Sequence, residues 1–261
     1  MNARVVSPMQ GLRWIFEGLR TFMSAPVGWF ALAFGYLIIS MVLSVIPVVG
    51  ALSGLILYPA FTVGFMVASR ARALRQPVEL PMLFAGFRER VPQLVILGGA
   101  YVIGIALALL GSSLADDGIL LGMFTAAPAA GETRTIPAEV RNGVLLAMAL
   151  YVPTFMMMFF SPLLVAWHAM PPLKSLFYSF FACLLNWRAF AAYLSVGILL
   201  MLVTANLVLI LALALVGAEA RSNANLLLAV MAPLMLVLVW PVMMGSVYAS
   251  YRDIFGAPGG G

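Results

Sequence analysis

Long runs without any charged side chain occupy most of this chain. Five stretches lack Asp, Glu, Lys and Arg altogether: 21–69, 91–115, 142–173, 189–218 and 222–251. About 20 consecutive apolar residues cross the roughly 30 Å hydrocarbon core of a bilayer as a helix. The first stretch is long enough for two crossings, so the pattern predicts six membrane-spanning helices, at about 27–46, 50–69, 92–114, 144–167, 190–216 and 226–249.

The composition agrees with this segment count. Hydrophobic residues make up 64% of the 261-residue chain and charged residues only 9%, whereas a soluble domain carries roughly 25% charged residues. We therefore predict an all-α polytopic membrane helix bundle, with a single integral domain over residues 1–256 and a flexible tail at 257–261. The net charge of +5 does not indicate nucleic acid as a partner, because the basic residues form no contiguous element that fits a groove.

The distribution of basic residues predicts the orientation of the chain. Lys and Arg are retained on the cytoplasmic side of a membrane, and most of them lie in alternate connecting segments. Both termini are therefore predicted to be cytoplasmic. The cytoplasmic set is Arg4, Arg13, Arg20, Arg70, Arg72, Arg75, Arg88, Arg90, Lys174, Arg188 and Arg252, and the opposite side has Arg134, Arg141 and Arg221.

Residues 8–24 show an amphipathic pattern before the first span. Polar side chains recur at intervals of three and four residues on one helical face, and apolar side chains occupy the opposite face. Such a helix lies in the membrane interface; the alternative is a helix that binds a soluble partner. The polar face holds Gln10, Arg13, Glu17, Arg20 and Ser24, and the apolar face holds Met9, Leu12, Phe16, Leu19 and Met23.

Two further segments, 80–90 and 172–187, contain an early proline, and each precedes a pair of spans. A unit of one interfacial helix and two crossings thus occurs three times, which favours a threefold internal repeat. Binding sites of transporters lie at repeat interfaces, but duplication is also compatible with architecture alone. In 172–187 we expect a small, uncharged face to be buried between spans, formed by Ser175, Ser179, Ala182 and Asn186.

Few polar side chains lie within the predicted spans. An ionisable residue inside the membrane is a functional-site hypothesis by default, and the spans carry none at midspan depth, which argues against ion-coupled transport and catalysis. Thr204 and Asn206 lie inside the fifth span and are candidate polar contacts, either to a neighbouring helix or to a substrate. His168 is either a proton relay, a phosphate contact or an interfacial residue at a helix end.

The arginines that follow the second span are candidate contacts to lipid. A basic residue near an anionic membrane surface contributes about 1 kcal/mol of attraction, although the retention of positive charge in the cytoplasm alone also accounts for these residues. The candidates for lipid or partner contacts are Arg70, Arg72, Arg75, Arg88 and Arg188.

Two charged residues directly follow the last charge-free stretch. Arg252 and Asp253 are predicted to pair with Glu89 and Arg88, which would latch the C-terminus onto the second loop. Exposed ion pairs contribute only about 0–1 kcal/mol, so the latch is a packing hypothesis.

Three segments at the cytoplasmic ends of the spans carry a resemblance to a known family. The segments LFAGFR (83–88), SFFACLLNW (179–187) and YRDIFG (251–256) together resemble an uncharacterised family of proteobacterial six-span inner-membrane proteins. The resemblance covers nearly the whole chain except the outer loop at 115–143. It implies a polytopic α-helical protein of the inner membrane, and it implies no activity, cofactor or catalytic residue.

The sequence therefore favours a non-enzymatic integral membrane protein that acts through lipid or protein contacts. Its expected partners are anionic lipid headgroups on the cytoplasmic side, with a homo-oligomer or a second membrane protein as further partners. The alternative is a small permease or transporter component for an uncharged or amphipathic solute. No cofactor is predicted, and an enzyme is the least favoured class because the sequence contains no acid–base or metal-binding set.

Overall fold

The fold is all-α, as predicted. The computed structural model describes residues 3–46, 49–125, 140–216 and 224–256. The middle of the predicted outer loop and the predicted flexible tail lie outside these residues. The helices are α1 (Pro8–Met23), α2 (Pro26–Ser44), α3 (Val49–Ala73), a 3₁₀ helix (Leu80–Phe87), α4 (Val91–Asp116), α5 (Ile119–Thr125), α6 (Val140–His168), α7 (Pro172–Leu185), α8 (Trp187–Val216) and α9 (Ala224–Phe255).

In the described parts of the chain, six helices are long and apolar enough to cross a membrane: α2, α3, α4, α6, α8 and α9. They pack as three hairpins, α2 with α3, α4 with α6, and α8 with α9. In the first and third hairpins, the second helix lies further inside the bundle than the first. A larger share of the apolar residues is buried in α3 than in α2, and in α9 than in α8. The prediction of a six-span helical bundle is confirmed.

The three short elements pack in a cyclic order. The 3₁₀ helix, which precedes the second hairpin, packs on α3 of the first hairpin, and α7, which precedes the third, packs on α6 of the second. In the same manner α1 precedes the first hairpin and packs on α9 of the third. Each short element therefore bridges its own hairpin to the preceding one, and the contact between α1 and α9 closes the ring.

Glycines allow the backbones of these elements to approach closely. A Cβ atom at Gly18 of α1 would lie 2.2 Å from the carbonyl oxygen of Val242 in α9. One at Gly64 of α3 would lie 2.3 Å from the carbonyl oxygen of Leu83 in the 3₁₀ helix. Helices in membranes associate through such close contacts, because lipid chains are as apolar as the side chains that they replace.

The α7 helix packs closely on α6 through small polar side chains rather than through glycine. Ser179 Oγ accepts a hydrogen bond from the Phe160 amide at 2.9 Å and donates one to the Met156 carbonyl at 2.7 Å, so it is inserted into the hydrogen-bond ladder of α6. Burial raises the pKa of the neighbouring Cys183 thiol, which indicates a packing residue. The expected buried face is present: Ser175, Ser179, Ala182 and Asn186 are all buried.

The α1 helix has a third face that the two-sided pattern did not predict. Trp14, Ile15 and the two glycines Gly11 and Gly18 are buried against α8 and α9. Of the predicted apolar face, Met9, Phe16 and Met23 are exposed, with Phe16 66% exposed, and Leu12 and Leu19 are half-buried. The helix is therefore fixed to the bundle along one side and offers its apolar side to the surroundings.

Substitution of Gly18 by Ala is expected to destabilise the fold, because the new Cβ would overlap the backbone of α9. Overpacking of this kind costs about 1–3 kcal/mol. Gly99 of α4 is the matched control, since a Cβ there meets nothing within 4 Å, and its replacement by Ala favours the helix by about 0.5–1 kcal/mol. Thermal unfolding in one detergent should show a lower Tm for Gly18→Ala and an equal or higher Tm for Gly99→Ala. Equal effects of the two variants would contradict the close packing of α1 on α9.

The predicted orientation is tested with reporter fusions in a Gram-negative host. A fluorescent protein fused after residue 261 should fluoresce, because folding of that reporter is retained only in the cytoplasm. Alkaline phosphatase inserted after residue 130 should be active, because the loop between α5 and α6 is then periplasmic. An active phosphatase at residue 261 would show the reverse orientation.

Candidate functional site

A polar cavity lies where α1 and the ends of α3 and α9 meet, and its volume is about 520 Å³. We call it the basic cavity. Four arginines and one carboxylate lie in its wall. The lining residues are Glu17, Arg20, Thr21, Ser24, Ser69, Arg72, Ala73, Arg75, Gly245, Tyr248, Ala249 and Arg252.

Arg72 is held in place by two hydrogen bonds. Its Nε donates to Ser24 Oγ at 3.0 Å, and its guanidinium also donates to the Gln76 carbonyl at 3.2 Å. The first bond joins the end of α3 to the end of α1. A planar guanidinium held in this way presents its remaining N–H groups in a fixed direction, which suits a carboxylate or a phosphate.

Arg75 ends α3 in a left-handed conformation, with φ 60°. The Gln76 amide donates to the Ala71 carbonyl at 2.8 Å and the Arg75 amide to the Arg72 carbonyl at 2.9 Å, which is the Schellman pattern of helix termination. This position is usually glycine, because a side chain there costs about 1–2 kcal/mol.

The charges of the basic cavity do not cancel. Arg252 pairs with Glu17 at 2.8 Å and with Asp253 at 3.3 Å. Within the described parts of the chain, no carboxylate lies within ion-pair distance of Arg20, Arg72 or Arg75. The cavity therefore has an excess of positive charge and favours an anion.

Arg252 and Asp253 bind α1 rather than the second loop. Asp253 accepts hydrogen bonds from Gln10 Nε2 at 2.6 Å and from Trp14 Nε1 at 2.9 Å, both in α1. Arg252 pairs with Glu17 of the same helix. The predicted pairing of Arg252 and Asp253 with Glu89 and Arg88, which would have latched the second loop, is thus wrong. We call the contacts of Arg252 and Asp253 with α1 the latch; they fix the end of α9, because that span packs beside α1.

The other predicted lipid contacts lie apart from the basic cavity. Arg88 lines a separate cavity of about 220 Å³ with Glu89, between the 3₁₀ helix, α3 and α6. Arg188 is the second residue of α8 and lies over the ring of Trp187, at 5.4 Å from its centre. Arg70 is half-buried near the end of α3. Of the five predicted arginines, the structure places Arg72 and Arg75 together in the wall of the basic cavity.

The polar residues of the fifth span do not form the expected site. Asn206 is exposed on α8, and its side-chain amide donates to the Leu202 carbonyl of the same helix at 2.8 Å. Thr204 is half-buried, and neither residue lines the cavities described here. The contact of Asn206 is therefore within its own helix rather than to a neighbour. His168 Nε2 forms a hydrogen bond with the Tyr251 hydroxyl, at the end of α6.

A second cavity, which the sequence did not predict, lies among the spans and has a volume of about 190 Å³. We call it the aromatic cavity. Its wall holds tyrosines from four helices (Tyr58, Tyr101, Tyr151 and Tyr193) and Trp240 of α9. The sequence analysis overlooked these tyrosines, because it considered only charged side chains within the spans. Four tyrosine hydroxyls within spans are polar groups in the membrane, and they could have been noticed in the sequence.

The fold and the charge distribution define a multi-pass α-helical membrane protein. The chain is 34% identical over 257 residues to a protein of Burkholderia thailandensis named "Probable inner membrane protein", and the match covers 96% of this chain and 93% of the relative. The chain belongs to the family of this inner-membrane protein, in agreement with the resemblance at the ends of the spans. No protein-family model and no solved structure matches the chain.

Asp253 is expected to contribute more to stability than the neighbouring ion pair. Its side chain is only 16% exposed, and hydrogen bonds to charged groups contribute about 1.5–3 kcal/mol. The Glu17–Arg252 pair is 37% and 38% exposed and should contribute about 0–1 kcal/mol. Asp253→Asn should therefore lower the Tm clearly more than Glu17→Gln. An unchanged Tm and unchanged protease sensitivity of Asp253→Asn would contradict the latch.

Proposed function

We propose that this inner-membrane protein binds anionic phospholipid through the basic cavity, and that it acts through this contact rather than through catalysis. The observation that carries the proposal is the group of Arg20, Arg72 and Arg75 around one cavity, with no carboxylate of the described residues within ion-pair distance of them. A phosphate group fits this arrangement, because arginine recognises phosphate oxygens through paired N–H groups.

The surroundings of the cavity suit a lipid better than a soluble phosphate. Met23 and Leu74, which flank the lining residues in the sequence, are 68% and 60% exposed. Phe16, one turn before Arg20 on α1, is also exposed. A headgroup in the cavity would thus have apolar side chains close by, and its acyl chains would remain in the bilayer.

Hydroxyl groups complete the polar lining. Thr21, Ser24, Ser69 and Tyr248 lie in the same wall as the arginines. The Ser24 and Ser69 hydroxyls already donate to the Thr21 and Phe65 carbonyls, so their oxygens can accept from the glycerol hydroxyls of a headgroup such as phosphatidylglycerol. The proposed ligand is therefore a phospholipid with an anionic phosphate and further hydroxyl groups.

The left-handed position of Arg75 allows a test in which binding and stability separate. Glycine at this position relieves strain of about 1–2 kcal/mol and costs about 0.5–1 kcal/mol in chain entropy, so Arg75→Gly should fold with an unchanged or higher Tm. The same variant should bind phosphatidylglycerol about 5-fold more weakly, because one basic residue contributes about 1 kcal/mol. Native mass spectrometry of lipid retained by the purified chain, with phosphatidylcholine as the neutral reference, measures the difference.

Arg90→Gly is the matched control. Arg90 also has a left-handed backbone, with φ 55°, and lies outside the basic cavity. The Arg90→Gly substitution removes the same charge and relieves the same backbone strain as Arg75→Gly, but outside the cavity. The lipid retention of this variant should therefore equal that of the unmodified chain. Equal losses in both variants would mean that the whole basic surface attracts lipid without a site. Displacement of the lipid by glycerol phosphate at low concentration would mean that the cavity takes a soluble phosphate.

A further inference from the structure

The aromatic cavity lies between spans of all three hairpins. Residues from α3, α6 and α9 line it, together with residues from α4 and α8. Its volume of about 190 Å³ exceeds the roughly 150 Å³ that accommodate benzene in an engineered protein cavity. One substituted six-membered ring therefore fits.

The walls are suited to a flat, uncharged ring. Tyr58 and Tyr101 are stacked with their centres 5.5 Å apart, and Trp240 lies edge-on to Tyr58 at 6.3 Å. Phe155 and Phe159 extend the aromatic lining, and no charged residue is part of it. A charged ligand would have no counter-charge at this depth, which excludes it on energetic grounds.

One hydroxyl hydrogen in the wall lacks an acceptor. The Tyr101 and Tyr151 hydroxyl oxygens are 2.6 Å apart, and since only one of the two hydrogens lies between them, the other is free to bind a ligand. A buried donor without a partner is costly, so a ligand with an acceptor oxygen complements this pair.

The cavity opens sideways towards lipid. Phe155 of α6 and Leu194 of α8 line it and are also exposed on the outside of the bundle, 36% and 43% respectively. The opening therefore lies between α6 and α8, within the spans, and a ligand enters from the bilayer.

We propose that the aromatic cavity binds the ring of an uncharged quinone-type lipid. A carbonyl oxygen of the ring accepts a hydrogen bond from the Tyr101–Tyr151 pair, and the isoprenoid tail leaves between Phe155 and Leu194 into the bilayer. The site is separate from the basic cavity, and the proposal does not depend on anionic lipid binding.

The test is the equilibrium binding of decylubiquinone to the purified full chain in detergent, measured by quenching of tryptophan fluorescence and by the shift in Tm. Dodecanol, which has a tail and no ring, is the reference compound. Tyr101→Phe combined with Tyr151→Phe keeps both rings and should weaken binding about 5- to 10-fold, the loss expected for one hydrogen bond.

Leu194→Trp, at the opening, should abolish binding. Its matched control is Leu199→Trp, at an exposed position on the same helix that does not line the cavity, and this variant should bind as the unmodified chain does. The absence of saturable binding, equal binding by the two tryptophan variants, or equal competition by dodecanol would overturn the proposal. Retention of phosphatidylglycerol, measured on the same samples, shows independently whether the basic cavity functions.

Discussion

The contact between α1 and α9 is the interaction on which the rest of the structure depends. It joins the first and third hairpins and so completes the ring that the 3₁₀ helix and α7 build elsewhere. Lipid chains offer no hydrophobic driving force for helix association, so the contact depends on close packing and polar bonds. Gly18 supplies the close packing, and Asp253 supplies the polar bonds to Gln10 and Trp14.

The basic cavity follows from this closure. It exists only where α1 lies across the ends of α3 and α9, because each of these elements supplies part of its wall. The aromatic cavity has no α1 residue in its wall, but it includes Tyr193 of α8. Tyr193 lies 6.0 Å from the fully buried Trp14 ring of α1, so α1 packs against one of the side chains that form that wall.

The parts of the fold that depend on local pattern were predictable from the sequence. The six spans follow from absent charge, and the buried face of α7 follows from the spacing of Ser175, Ser179 and Asn186. The partner of Asp253 was not predictable, because Gln10 and Trp14 lie more than 230 residues away along the chain. Nor does a sequence reveal that Arg75 adopts a left-handed backbone, since arginine is common in the last turn of a helix.

The candidate sites, like the fold, were predictable from the sequence only in part. Arg72 and Arg75 were among the predicted candidates for lipid or partner contacts, because charge near a span is visible in the sequence, but the sequence did not separate them from Arg88 and Arg188. Which arginines share one cavity depends on the packing of α1, α3 and α9, which are distant from one another in the chain. The aromatic cavity depends on five helices, and each contributes side chains that appear ordinary on their own.

Hydrogen–deuterium exchange in nanodiscs, with and without phosphatidylglycerol, tests the central claim that closure of the ring by α1 creates an anionic-lipid site. If the site exists, the lipid slows exchange in α1 near Arg20, in α3 near Arg72 and in α9 near Arg252 together. No change is expected at the start of α4 near Arg90. Uniform protection of every basic segment, or protection of one of the three elements without the others, would contradict the claim.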